Sequence, residues 1–496
     1  MSHSVVVAGG GPVGLMLACE LALLGVRTLV VEQRPQPRED APGIAVNATV
    51  VELLAQRGIM DAIRSDGVEL PQARFALLWL DTARMREKRV YGFVIPHAQL
   101  ARRLAERAVE LGVTIRHGQE VVGFNQDENG VVVDLRGEAG IESVPCRYLV
   151  GCDGARSVVR GLAGIDFPGA ESPFYGLIAE VEHEPGDALT EWIGTRLAPD
   201  GILMAVPSGP GRIRVVTAEF GRATPDPVAT PTFDELRATV SRLAEADWQP
   251  TGQARWLSRW ENATRQAERY RAGRLFLAGD AAHVHFPLGG QALATGLEDA
   301  VNLGWKLTAE IHGWAPPGLL STYHAERHPA GARACRTSQA QVALMHPVEQ
   351  VAPVRELLTE LIQFAEVNEY LIKVQGNLDV RYPITSATAG AHPLLGRRLP
   401  HVPVALSTGE TDLGVLLRAG RGVVLDLSEG AVSLAGIDGW ACRVDVVPAK
   451  PTAEIAAVAL LLRPDGYVAW ADSTGADDAG LRSALRTWFG EPAIRR

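Results

Sequence analysis

A chain of 496 residues is too long for one hydrophobic core, so two or three domains are expected. With 47% hydrophobic and 21% charged residues it is composed like a globular protein, and 48 basic against 58 acidic side chains (net −10), without a Lys/Arg block, argue against a nucleic-acid partner. Its five cysteines (Cys19, Cys146, Cys152, Cys335, Cys442) contain no CxxC pair, which argues against a dithiol centre, a zinc site or a disulfide scaffold and points to the cytoplasm. The first strand is entered within a few residues, leaving no room for a signal peptide, and no apolar run reaches the ~18 residues of a membrane span.

Val5-Val6-Val7-Ala8 reads as a buried strand that runs into Gly9-Gly10-Gly11-Pro12-Val13-Gly14. Gly9, Gly11 and Gly14 have the GxGxxG spacing. The first glycine permits a tight turn, the second lets a pyrophosphate approach the backbone, and the third lets helix and strand pack closely. The helix from Val13 to about Gly25 points its N-terminus at the phosphates. Glu32 ends the second strand, Thr28 to Glu32, where its carboxylate can accept hydrogen bonds from a ribose; this favours FAD or NAD over a 2′-phosphorylated nucleotide.

Residues 33–43 form a Pro-rich loop. Ala48 to Gly58 is a helix with a glycine stop. Arg74–Asp81 and Val90–Ile95 are β-rich and are expected to pair as a hairpin outside the nucleotide domain. A helix over Pro96–Leu111 precedes strands at Val113–Arg116, Glu120–Asn125, Val131–Leu135 and Tyr148–Gly151. The last strand ends in Asp153-Gly154, which is either a second nucleotide contact or an ordinary strand-to-helix turn with Asp as cap. From Phe167 to Trp260, β-rich segments with Pro/Gly breaks predict a mostly antiparallel second domain carrying Tyr175, Trp192, Met204, Phe220, Trp248, Trp256 and Trp260.

A second informative stretch is a buried strand, Arg274–Ala278, followed by Gly279-Asp280, then Pro287, Gly289-Gly290-Gln291 and a long helix, Ala292 to His312. An acid at a strand end can hold a ribityl or ribose hydroxyl, and glycines before a helix let backbone N–H groups meet an electron-rich ring. His283 and His285 resemble a metal pair but lack a third ligand nearby, so they read as loop or core histidines and no metal is expected. Asp299 and Asn302 read as capping and packing residues. A helical segment follows Val342, with Leu357, Leu358, Leu361 and Ala365 as one apolar stripe. His392–Pro400 is a linker. Strands at Gly422–Leu427, Ala441–Val447, Ala457–Arg463 and Tyr467–Ala471 and a helix at Leu481–Phe489 close the chain, with Pro464-Asp465-Gly466 as a turn.

The three motifs, in this order, resemble those of the single-component (group A) FAD-dependent aromatic monooxygenases of the para-hydroxybenzoate and phenol hydroxylase superfamily, in the branch acting on aromatic polyketides. The resemblance implies an α/β Rossmann-like FAD-binding domain (1–70, 96–170 and 271–390), an antiparallel β-sheet substrate domain (71–95 and 171–270) and a thioredoxin-like C-terminal domain (396–496). It gives Gly9, Gly11, Pro12, Val13 and Gly14 to the FAD pyrophosphate and Glu32, with Gln33 and Arg34 beside it, to the adenosine ribose. Asp153 falls in the motif serving both FAD and transient NAD(P)H. Gly279 and Asp280 fall to the ribityl or ribose portion, and Pro287, Gly289, Gly290, Gln291 and Ala292 to the isoalloxazine. The chain departs from the family at His97 (often Gln), Thr49 (often Arg), Ala292 (usually Gly) and Ala294 (usually Asn).

The chemistry implied is reduction of FAD by NAD(P)H, reaction with O2 to a C4a-(hydro)peroxide, and transfer of one oxygen atom to a bulky aromatic substrate, as in hydroxylation during antibiotic biosynthesis. The same chemistry could run as Baeyer-Villiger insertion or as oxidative inactivation of an aromatic antibiotic; a flavin-free nucleotide-binding protein is the remote alternative. The halogenase motif WxWxIP is absent. No Ser-His-Asp, Cys-His or paired-carboxylate constellation is visible, and His97 is the one weak catalytic candidate. A monomer or homodimer, with neither nucleic acid nor membrane as partner, is expected.

Overall fold

The computed structural model describes residues 3–493 apart from 38–42, 44, 88, 171–173, 223–228, 262, 287, 385–391, 431, 433 and 435. Val5, Val6 and Val7 have no exposed surface and Ala8 almost none, as an apolar run covered on both faces requires. Strand Val5–Ala8 sits inside a six-stranded sheet, between Tyr148–Gly151 and Thr28–Glu32. Thr114–His117 forms one edge; Leu275–Leu277 and the short strand Arg271–Ala272 form the other. All pairings are parallel except that of Arg271–Ala272. Helix Pro12–Leu23 packs against helices His97–Glu110 and Gln291–Ile311. The parallel sheet therefore presents the C-terminal ends of three strands, each followed by a glycine turn, at one edge of the layer; ligands of open α/β sheets bind outside such ends.

A five-stranded antiparallel sheet forms the second layer, in the order 194–198, 201–209, 212–220, 174–182, 254–261. Helix Phe233–Ala244 covers one face, where Leu236, Val240 and Leu243 pack on Tyr175, Leu177, Val215 and Trp248. The other face turns Phe174, Ile202, Ala218 and Phe220 toward Phe286 and Met345 of the nucleotide layer. The C-terminal module is a four-stranded sheet, 444–448, 422–426, 459–462, 468–472, with one parallel pair and helix Asp478–Phe489 packed on it, the arrangement of a thioredoxin-like domain. No helix among the described residues is long and apolar enough to cross a membrane.

Three sequence expectations need correction. The hairpin between 74–81 and 90–95 does not form. Instead Ala73–Phe75 pairs with Leu78–Leu80, and Gly92–Val94 pairs with Ala45–Asn47 and Val68–Leu70. The tight reversal at Ala76 and Leu77, both at positive φ, carries no glycine or proline to announce it. A strand, Gly140–Cys146, was not expected; its Pro145 is tolerated because the strand lies at a sheet edge. The apolar stripe on 357–365 is split: Leu357 and Leu361 are exposed on helix Val348–Leu361, Leu358 packs inward, and Ala365 begins the next helix.

Candidate functional site

At the first turn two glycines serve packing and one stays open. A Cβ on Gly9, whose φ is +108°, would lie 2.3 Å from the Cys152 carbonyl oxygen, and one on Gly14 would lie 2.1 Å from the Gly9 carbonyl oxygen. A Cβ on Gly11 would meet nothing within 4 Å. Helix Pro12–Leu23 starts with no side-chain cap and no acid in its first turn, so its N–H groups are free for an anion. Pro12, at the first helical position, has no N–H to lose. Gly9 and Cys152 touch, and Cβ atoms on Gly279 and Gly296 would meet the Val13 side chain at 3.1 and 2.7 Å. All three turns therefore converge on one place.

Glu32 accepts hydrogen bonds from the backbone N–H of Gly10 (2.8 Å) and Arg34 (3.0 Å). These aim the carboxylate beside the turn and leave acceptor positions over for ribose hydroxyls. Gln33 and Arg34 are exposed next to it. Asp153 accepts from the Val159 N–H at 3.1 Å, in the first turn of a helix whose N-cap is Ser157, while its Oδ1 is buried without a partner. Asp280 is open to water and yet lies deep in the protein: it sits on the floor of a cleft, and burial raises its carboxyl above the usual range. Pro287 lies outside the described residues. Gly289 and Gly290 both adopt left-handed backbone (φ +60° and +70°) before helix Gln291–Ile311. The Gln291 side chain donates to the Val374 carbonyl (3.2 Å) and Asn377 Oδ1 (3.1 Å), and its carbonyl accepts from the Thr295 hydroxyl (2.9 Å), while Ala292 is half-buried.

His97 opens helix His97–Glu110 with Nε2 3.1 Å from the Ala45 carbonyl oxygen, while Nδ1 faces Gly43, whose Cβ would lie 2.0 Å away. Burial, and more weakly the positive charge of Arg214, lower its pKa. A neutral ring donating from Nε2 has its one lone pair turned to backbone, so we assign it no proton transfer. His283 is fully buried against Asp299 (2.8 Å), and burial pushes His285 down to about 4. Among the described residues no group of three His, Cys, Asp or Glu could hold a metal ion.

Beyond the third turn, the antiparallel sheet packs Trp260 and Phe174 against Phe286, with ring centroids 5.3 and 5.5 Å apart. One cross-strand row reads Val206, Arg214, Glu180, Trp256, with Arg214 paired to Glu180 at 3.3 Å. Tyr175, Trp192 and Trp248 belong to the opposite, structural face. A separate cavity of about 560 Å³, bounded by Glu182, His183, Arg212, Thr251 and Arg255, shares no lining residue with the three turns.

Several residues of this site escape a linear reading. Asp299 is not a simple packing residue: it accepts from the Gly279 N–H (3.1 Å), His283 and Arg327 (2.7 Å), and so pins the third turn. Thr49 lies fully buried, and the guanidinium of Arg398 reaches its hydroxyl at 2.8 Å. The signal for Asp299 was present as spacing on a long helix; nothing near Thr49 in sequence points to Arg398.

A parallel sheet whose glycine turns meet around an uncapped helix end, opposed by an antiparallel sheet, defines the dinucleotide-binding class of fold with a second, antiparallel layer. The family described as FAD binding domain matches residues 2–338, and aromatic-ring hydroxylase, C-terminal, matches residues 392–492. The chain belongs to the FAD-dependent aromatic monooxygenases. It is 49% identical to a dialkyldecalin synthase of Streptomyces rugosporus (99% of this chain, 100% of the relative). It is 42% identical to a rifampicin monooxygenase of Streptomyces venezuelae (98% of each). The solved anhydrotetracycline hydroxylase OxyS from Streptomyces rimosus superposes with a TM-score of 0.91 at 41% identity, over 99% of this chain and 100% of that one. The residues present fit FAD: an uncapped helix end, an open side at Gly11, a poised Glu32 and an acid on the cleft floor.

Proposed function

We propose that the chain holds FAD between the three turns and, with NAD(P)H as transient reductant and O2 as co-substrate, inserts one oxygen atom into a bulky aromatic, polyketide-type molecule. The convergence of the turns carries this reading, and the family membership supports it. The flavin supplies the redox and oxygen chemistry. The protein's share is positioning. The N–H groups of Gly11 and Val13 bind the pyrophosphate, Glu32 the adenosine ribose, Asp280 the ribityl or ribose portion, and the backbone of Gly289–Ala292 the ring edge. Asp153 combines its hydrogen bond to the helix start with the second nucleotide contact. The face bearing Trp260, Phe174 and Phe286 takes the apolar rings of the substrate and keeps water from the reacting centre.

A second reading is ring-forming synthesis without net oxidation on the same flavoprotein scaffold. It is favoured by one observation: end-to-end identity of 49% with a dialkyldecalin synthase, against 42% with the rifampicin monooxygenase. Product mass separates the two. Incubation with NAD(P)H and isotopically labelled O2 should add one labelled oxygen to the product. A product of unchanged mass, formed equally without NAD(P)H or O2, would establish the synthase reading instead. A preparation that shows no flavin absorbance and takes up no added FAD would refute both.

Asp280→Ala removes a charged acceptor from the cleft floor. It is expected to weaken FAD binding about tenfold to a hundredfold, the value of one or two charge-assisted hydrogen bonds. Fluorescence titration of the apoprotein with FAD measures it.

A further inference from the structure

Helix Ala365–Gln375 ends in a turn whose last carbonyls are each taken by a side chain from a distant element. Gln291 donates to Val374 O (3.2 Å), Asn47 to Gln375 O (3.4 Å) and Thr49 to Gly376 O (2.5 Å). Gln375 in turn donates to Leu288 O (3.2 Å), and Asn377, at φ +56°, bridges Gln291 and Thr295. This turn is thus the back wall of the loop from Leu288 to Gln291. A helix end normally leaves such carbonyls to water or a cap; here they lock the loop instead.

The direction of one link is fixed from outside. Arg398, in the C-terminal module, donates from Nη2 to Thr49 Oγ1 at 2.8 Å. Arginine only donates, so the Thr49 hydroxyl must spend its own hydrogen on Gly376 O. Arg398 is itself held by Glu52 (3.5 Å) and Glu298 (3.9 Å), and Glu298 also accepts from Asn377 (3.4 Å). Burial alone would lower the Arg398 pKa, but the two carboxylates outweigh it and raise it. The guanidinium and its chain are buried, with the Arg398 side chain 8% exposed and Thr49 0%.

We propose that Arg398 is a positioning residue for the flavin-lining loop, acting through Thr49 and the Val374–Asn377 turn, so that the C-terminal module helps set how the isoalloxazine is held. The proposal rests on the flavin reading above. Its test uses the full chain with four variants: Thr49→Val, Thr49→Ser, Arg398→Met and the pair Thr49→Val/Arg398→Met. Three quantities are read: FAD affinity of the apoprotein, midpoint potential of the bound flavin, and melting temperature of the apoprotein as a folding control.

Thr49→Val and Arg398→Met should each weaken FAD binding about tenfold, the weight of one buried charge-assisted link. Both should displace the flavin potential in the same direction. The pair should be no worse than either single variant, because one chain is broken in each. Thr49→Ser should restore the wild-type values. Should Arg398→Met not fold, Thr49→Val decides alone, since it leaves the Arg398 ion pairs in place. Unchanged affinity and potential in a folded Thr49→Val, or fully multiplicative effects in the pair, overturn the proposal. A wild-type chain that binds no FAD overturns the flavin reading and this proposal with it, whereas unchanged variants of a flavin-binding wild type overturn this proposal alone.

Discussion

Gly11→Ala and Gly14→Ala are expected to weaken flavin binding by different routes, and the contrast reports how the first turn works. At Gly14 an added Cβ would meet the Gly9 carbonyl oxygen at 2.1 Å and the Cys152 side chain at 3.2 Å. Backbone cannot rotate away as a side chain can, so helix Pro12–Leu23 must lift off the strand before it. Forced overpacking of this kind costs about 2–3 kcal/mol or more. Gly14→Ala should lower the melting temperature of the apoprotein and its FAD affinity together. At Gly11 the φ of −77° suits any residue and the Cβ direction is open. Gly11→Ala should leave apoprotein melting unchanged and still weaken FAD by on the order of a hundredfold, because its methyl group occupies the approach path of the pyrophosphate. Melting curves and flavin absorbance after equilibration with FAD measure both. Wild-type affinity in Gly11→Ala would mean that the phosphates lie elsewhere.

Glu326→Ala is expected to be the most destabilising single change outside the turns. Glu326 lies on helix Ser321–Ala343 and accepts from Arg463 at 2.6 and 2.8 Å, from Lys306 at 2.7 Å and from Asn302 at 2.7 Å. Arg463 and Lys306 are fully buried, and Arg463 also pairs with Asp465. Truncating the glutamate leaves two buried cations facing one remaining carboxylate. Removing one partner of such a cluster costs about 3–5 kcal/mol. Arg463 and Asp465 belong to the C-terminal module, while Glu326 and Lys306 belong to the nucleotide-binding layer. Denaturant melts should therefore show lost stability, and limited proteolysis should release the module.

The same carboxylate gives a pH signature. Burial alone would raise its pKa, but Arg463 and Lys306 outweigh that and pull it from 4.5 to about 2. A depressed folded-state value contributes stability above the unfolded pKa and loses it as pH falls through the folded one. Wild-type protein should thus lose stability from about pH 4.5 down toward pH 2 more steeply than Glu326→Gln, with denaturant midpoints as the readout. Parallel curves would mean that Glu326 titrates normally.

The strand, glycine turn, helix, strand and terminal acid of residues 5–32 were legible in the sequence because each is a local decision. An uninterrupted apolar run can be satisfied in a doubly covered strand. A glycine at φ +108° admits no other residue, and an uncapped helix after it is read from the next few positions. The same holds for the Asp153-Gly154 and Gly279-Asp280 turns, and for the final strands and helix, whose expected limits lie within about three residues of those observed. Local backbone chemistry also made the resemblance to a flavoprotein family readable before any fold was known.

Tertiary structure alone decided what those pieces do together. That Gly9 meets Cys152 and Val13 meets Gly279 depends on strand order across the sheet, which no short-range pattern encodes. Glu326 and Arg327 are both buried, because their partners come from residues 295–306, 382 and 463. Thr49 looked like a missing arginine; a guanidinium reaches it from position 398. A buried charge is tolerated only where an opposite one is brought to it, and such pairings across hundreds of residues exist only once the chain has closed on itself.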